Sequence, residues 1–130
     1  VGKKEISAPG LYLEFRADSF HIYSGIYEPG PEILHKIRTY IATHLNEFKK
    51  LYLSKSFIER FGEIRGEKNK VISKEIKELA AIEPLLYNKA FYYTCAFDSE
   101  LILKDGLEKL ILKVYKDAKP MNEFLENSLV

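Results

Sequence analysis

One cysteine and no tryptophan stand among 130 residues, and each scarcity closes off a class of protein. Cys95 has no second cysteine to pair with, so a disulfide-stapled secreted scaffold is excluded and a reducing, cytoplasmic compartment is expected. No apolar run approaches the roughly 18 residues of a membrane span. The opening Val1 to Lys4 is not followed by an apolar stretch, so it does not read as a signal peptide. Charge of one sign is also lacking. Lys and Arg total 20 against 19 Asp and Glu, a net charge of +1. Nothing in that balance draws the chain to nucleic acid or an anionic membrane. Nine tyrosines without tryptophan or a basic surplus do not make a stacking platform for nucleic acid.

The strong catalytic signatures are missing too. There is no P-loop, no dinucleotide fingerprint, no H-E-x-x-H, no C-x-x-C and no nucleophile elbow. His35 and His44 lie nine residues apart, about 180° around a helix, so they do not share a metal; no metal site is expected. Cys95 sits in an apolar run with no histidine or cation beside it in sequence, which predicts an inert structural thiol.

What is present is an ordinary globular balance, 46% apolar and 30% charged, in a chain long enough for one domain with its own core. Leu11, Leu13 and Phe15 alternate with polar residues. So do Phe20, Ile22 and Ile26 after the turn Ala17–Ser19. Period-two alternation about a short polar turn predicts a β-hairpin with one face inward. Gly25 inside the second strand signals a bulge or a close backbone approach.

Pro31 fits a first helical position, and Ile33, Ile37, Ile41 and Leu45 recur at helical spacing behind it. Asn46 and Ser54 are read as caps of two further short helices, the second stopped by Gly62. Residues 63–71 read as a loop or weak edge strand. Ser73 caps a helix burying Ile76, Leu79 and Ala80. Ala90 to Phe97 is β-prone and nearly all apolar, which predicts a central strand covered on both faces, with Phe91, Tyr93, Cys95 and Phe97 sharing one of them. Asp98 or Ser99 caps a short helix ending at Gly106. Leu107, Leu110, Ile111, Val114 and Tyr115 then form the last helical face, which Pro120 interrupts. The order of elements predicts an α+β fold, with a small antiparallel sheet of hairpin plus buried central strand packed by several helices.

Few residues stand out chemically. Lys89 opens the apolar strand, where an ammonium at a cleft can bind an anion; the plain alternative is a lysine snorkelling to water. Arg38 falls on the polar flank of the first helix, which predicts a solvated side chain. His21, Tyr23 and Tyr27 share a strand face that can stack or hydrogen-bond a ligand, but the expectation is that this face packs against a helix, with the hydroxyls at its rim. Arg65, Lys68, Asn69 and Lys70 surround a glycine and can meet phosphate, but Glu63 and Glu67 in the same stretch point to a solvated loop.

The ordered set of short motifs carries a resemblance. Gly10 to Phe15 (GLYLEF), Gly25 to Pro29 (GIYEP), Leu34 to Arg38 (LHKIR), Phe57 to Gly62 (FIERFG), Leu86 to Tyr92 (LYNKAFY) and Ala118 to Leu125 (AKPMNEFL) together resemble a bacterial family of conserved hypothetical proteins, domain of unknown function 2461. Lys119 stands where the family often joins Ala to Pro, and Tyr27 where it often has tryptophan.

The family carries no established activity, so the resemblance names no catalytic residue and no cofactor. It implies that residues 1–130, which begin without Met, are one domain forming the C-terminal part of a longer unit whose Arg-rich N-terminal motif is absent here. The positions matching the family pattern that can face such a site are Tyr27, Arg38, Lys89 and Tyr92. The expected function is binding of a small anionic ligand bearing phosphate or carboxylate. The alternatives are an enzyme with its catalytic groups in the missing segment, or an interaction module. The sequence does not specify an oligomeric state.

Overall fold

Alternating residues and capping signals translate directly into elements. The computed structural model describes residues 9–100 and 106–130. Strands β1 (Gly10–Phe15) and β2 (Ser19–Ile26) form the expected antiparallel hairpin, with Phe15 opposite Phe20 and Gly10 opposite Gly25. The turn closes through the Arg16 amide, which donates to the Ser19 carbonyl at 2.8 Å. Strand β3 (Phe91–Asp98) pairs antiparallel with β2, placing Phe97 opposite Phe20 and Phe91 opposite Ile26. The sheet is three-stranded in the order β1-β2-β3, and with its helices the fold is α+β.

The strand expected at the centre is at an edge. Strand β2 takes the central place, and among the described residues β3 meets no further strand; its outer side there has only isolated bridges, Arg65 to Tyr92 and, just ahead of the strand, Lys68 to Asn88. The run from Ala90 to Phe97 looked doubly covered because its alternate residues, Tyr92, Thr94 and Ala96, are aromatic or small. Such residues sit half-exposed on a sheet face without a large penalty. The shared face of Phe91, Tyr93, Cys95 and Phe97 does form: Phe91 and Tyr93 are fully buried, Cys95 and Phe97 half-buried.

Five α-helices lie in the described residues. Helix α1 (Pro31–Thr43) begins at Pro31 as expected. Helix α2 (Leu45–Tyr52) starts before Asn46, because His44 both ends α1, donating its amide to Tyr40 and Ile41, and opens α2. Helix α3 (Lys55–Phe61) is capped by Ser54, whose Oγ accepts from the Phe57 amide at 3.3 Å, and stops at Gly62 with φ 80°. Helix α4 (Lys74–Ile82) follows Ser73 and leads into a single 3-10 turn, Pro84–Tyr87. The expected helix from Asp98 or Ser99 to Gly106 falls largely outside the described residues.

Helix α5 (Leu107–Asn127) runs through Pro120 without interruption. Proline removes one helical hydrogen bond. Here Pro120 and Lys116, whose carbonyl loses its donor, are both exposed, so water can serve instead. The buried stripe Leu110, Val114, Ala118, Met121 and Leu125 holds both halves of the helix down. Tyr115, expected on that stripe, is exposed instead. No helix among the described residues is long and apolar enough to cross a membrane.

Among the described residues the helices cover one face of the sheet only. Helix α5 lies against β2 and α3 against β3. Phe20, Ile22, Ile26, Phe91 and Tyr93 are buried there with Ile37, Ile41, Phe48 and Phe57. Each such side chain contributes on the order of 1.5–3 kcal/mol by leaving water. The cover stops short of β1, so Leu13 and Phe15 stay largely exposed although they point the same way. A polar chain ties the layers together. Asn122 on α5 accepts from the Tyr93 hydroxyl and donates to Ser24 Oγ at 2.9 Å, and Ser24 donates to the Gly10 carbonyl at 2.9 Å.

Candidate functional site

The segment ahead of β3 is positioned by backbone pairing. The Lys89 amide donates to the Glu67 carbonyl at 2.7 Å, and Arg65 and Tyr92 exchange both of their backbone bonds. Gly66 permits this approach, since a Cβ there would lie 2.3 Å from the Ala90 carbonyl oxygen. Lys68 is consumed in the same construction, its Nζ donating to Asn88 Oδ1 at 2.8 Å and to the Pro84 carbonyl at 3.2 Å. The side chain of Lys89 is left exposed at the end of the strand.

Arg38 is buried rather than solvated. Its Nη2 donates to the carbonyls of Tyr87 and Asn88 at 3.1 and 2.8 Å, which fastens α1 to the turn just before Lys89. Sequence reading placed Arg38 on the polar flank of α1; the turn that folds over that flank is supplied by residues some fifty positions away. Arg38 keeps only 9% of its surface exposed, and its buried Nε has no hydrogen-bond partner among the described residues. Burial pulls the guanidinium pKa down from its usual value.

Two cavities meet at Lys89. The first, of about 440 Å³, lies between the start of α1, the residues before α4 and the strand end. Its polar lining is Arg38, Lys89, His35, Asn69 and Ser73, its apolar walls Leu34, Ile76, Pro29 and Pro31, and no carboxylate lines it. Ser73 stands at the N-terminus of α4 without making a side-chain cap bond, so its hydroxyl is not used there.

The second cavity, of about 350 Å³, is lined by Tyr27, Glu28, Pro29, Glu67, Lys89, Ala90 and Tyr92. Tyr27 and Tyr92 meet edge to face with ring centroids 4.8 Å apart. The four residues singled out in sequence are thus brought together in two groups around Lys89, with Arg38 on one side and the tyrosine pair on the other.

The second cavity opens onto the uncovered face of the sheet. Tyr12, Glu14, His21, Tyr23, Tyr92 and Thr94 project there, and among the described residues no helix packs over them. His21 and Tyr23 therefore do not sit under a helix. Tyr23 donates to Glu14 Oε1 at 3.1 Å beside Arg16, which pairs with the same carboxylate at 2.8 Å. Burial first, and then the Glu14 carboxylate, raise the Tyr23 pKa; the hydrogen bond from Arg16 lowers that of Glu14.

His35, Ser73, Glu28 and Glu67 line these cavities and are not selected by sequence reading. Each has an ordinary local role, as helix surface, cap or loop carboxylate, and only long-range packing assembles them. Among the described residues there is no cluster of three or more His, Cys, Asp or Glu able to hold a metal.

A family model for a conserved hypothetical protein, DUF2461, matches residues 1–124. No curated protein and no solved structure matches the chain.

Proposed function

The chain belongs to the DUF2461 family of conserved hypothetical proteins, and from that footing we propose that it binds a small anion, phosphate or carboxylate, in the cavity between α1 and the start of α4. One observation carries this reading: Arg38, Lys89, His35, Asn69 and Ser73 converge on a single cavity that no carboxylate lines. Charge-assisted hydrogen bonds from arginine and lysine are the strong bonds for oxyanions. Lys89 supplies a mobile point charge, and Arg38 a planar donor already fixed by two backbone carbonyls. Pre-fixing lowers the ordering cost of binding. The lone, half-buried thiol supports a reducing, cytoplasmic setting.

Titration calorimetry with inorganic phosphate, pyrophosphate and small carboxylates tests the proposal. Binding should weaken with ionic strength, because Lys89 is exposed. Lys89→Met keeps most of the stem and removes the charge. It should lower affinity by about tenfold or more, the worth of one charge-assisted bond, with the thermal midpoint unchanged. Equal affinity in the variant, or no binding of any of these anions, refutes the reading.

A further inference from the structure

The cavity on the other side of Lys89 has a different chemistry. Pro29 and Lys89 line both spaces, so a ligand held by the ammonium can extend from one into the other. Beyond Lys89 the walls are two tyrosines and two carboxylates, Glu28 and Glu67. A second anionic group would be repelled there. Carboxylates accept hydrogen bonds, so they favour a neutral portion that donates them, such as sugar hydroxyls or an exocyclic amine. The aromatic pair favours a flat, polarisable ring, and Tyr27 is 49% exposed, so ring surface is open to one. Ligand cavities span roughly 300–1,000 Å³, and each of these, at about 350 and 440 Å³, falls within that range.

Resting on the anion reading above, we infer that the ligand is a phosphorylated nucleoside. Its phosphate lies with Arg38 and Lys89, its ribose hydroxyls donate to Glu28 and Glu67, and its base packs against Tyr27 and Tyr92. The tyrosines thereby acquire a use that their position on an uncovered sheet face does not otherwise explain.

The test is calorimetry of the chain with inorganic phosphate, ribose 5-phosphate and adenosine 5′-monophosphate. The mononucleotide should bind about tenfold more tightly than ribose 5-phosphate, the increment of one base on an aromatic ring. Tyr27→Ala, at an exposed position, and Tyr92→Leu should each erase most of that increment and leave phosphate affinity unchanged. Circular dichroism confirms that both variants fold; should Tyr92→Leu fail to fold, Tyr27→Ala decides alone. Phosphate binding with no preference for the mononucleotide over ribose 5-phosphate overturns the nucleoside inference and leaves the anion site standing. Mononucleotide binding that Lys89→Met does not weaken overturns the shared site. Absence of binding by both phosphate and the mononucleotide sinks the anion reading and this inference together.

Discussion

Tyr92 and Tyr93 are neighbours in one strand with opposite fates. Tyr93 has no exposed surface. Its ring meets Phe57 and Phe61 at 5.0 and 5.1 Å, and its hydroxyl is bound by Asn122. Burial holds its pKa well above that of a free tyrosine. Tyr92, one residue away, faces the other side of the sheet, touches Tyr27 and lines the cavity beside Lys89. The residue type is the same, so the difference lies in which face the helices cover. An aromatic residue under the helices is spent on stability, and one on the open face remains free for recognition.

The sharpest way to break that comparison is to truncate both rings. Tyr93→Ala should cost about 3–5 kcal/mol, the usual range for deleting a buried aromatic side chain, and it also strands the Asn122 amide. Tyr92→Ala should cost roughly 1 kcal/mol, because half-exposed positions lose little packing. Urea unfolding of the two variants reads the difference, and equal losses would mean that the open face is a structural face after all.

A smaller effect tests the seam between β2 and β3 where it has no side chain. Gly25 holds φ 97°, and a Cβ there would lie 2.3 Å from the Phe91 carbonyl oxygen. Sequence reading offered a bulge or a close approach, and the close approach of β2 to β3 is what forms. Gly25→Ala should destabilise by about 2–3 kcal/mol, from left-handed backbone strain and a backbone clash together. Gly62, with φ 80° and nothing within 4 Å of its built Cβ, should pay the strain alone, about 1 kcal/mol. A Gly25→Ala variant as stable as Gly62→Ala would show that the strands can part there at no cost.

The smallest change in stability concerns Cys95, on the covered face but near the rim of the cover. Burial pushes its thiol pKa up to about 11, outweighing Arg60, which lowers it. The raised pKa favours the neutral thiol in the folded state. Its contribution is therefore complete below the unfolded value of about 8.5 and is lost as pH rises through about 11. At pH 8 the folded thiol should react with a maleimide about a hundredfold more slowly than the denatured chain, with the rate climbing toward pH 11. Equal rates would place Cys95 on the open side of the comparison.

Local chemistry made much of this fold legible. The hairpin follows from alternation either side of Ala17–Ser19. Helix α3 follows from Ser54, Phe57, Phe61 and Gly62, because a side-chain cap and a glycine stop act within one or two turns. Reading fails where a residue's state depends on distant chain. Arg38 looks solvated on α1 until the turn at Tyr87 and Asn88 folds over it. Pro120 looks like a stop until the buried stripe on both sides of it holds α5 together. Strand β3 reads as central and stands at an edge, because apolar content marks burial, whereas strand order depends on which edges pair.

Lys89 could be named in advance from its strand-end position, and Arg38, Tyr27 and Tyr92 only as what the family resemblance implies. Their grouping could not. Nothing in the order of residues says that His35, Asn69 and Ser73 would share a cavity with Arg38 while Glu28 and Glu67 would stand on the far side of Lys89. Periodicity and capping are short-range and are written in consecutive residues, so the sequence by itself determined the α+β elements and which faces of them are apolar. The sign of the field around Lys89, and the choice of which tyrosines stay uncovered, depend on where the helices come to rest. That is set by the sum of many long-range contacts, and only the tertiary structure decides it.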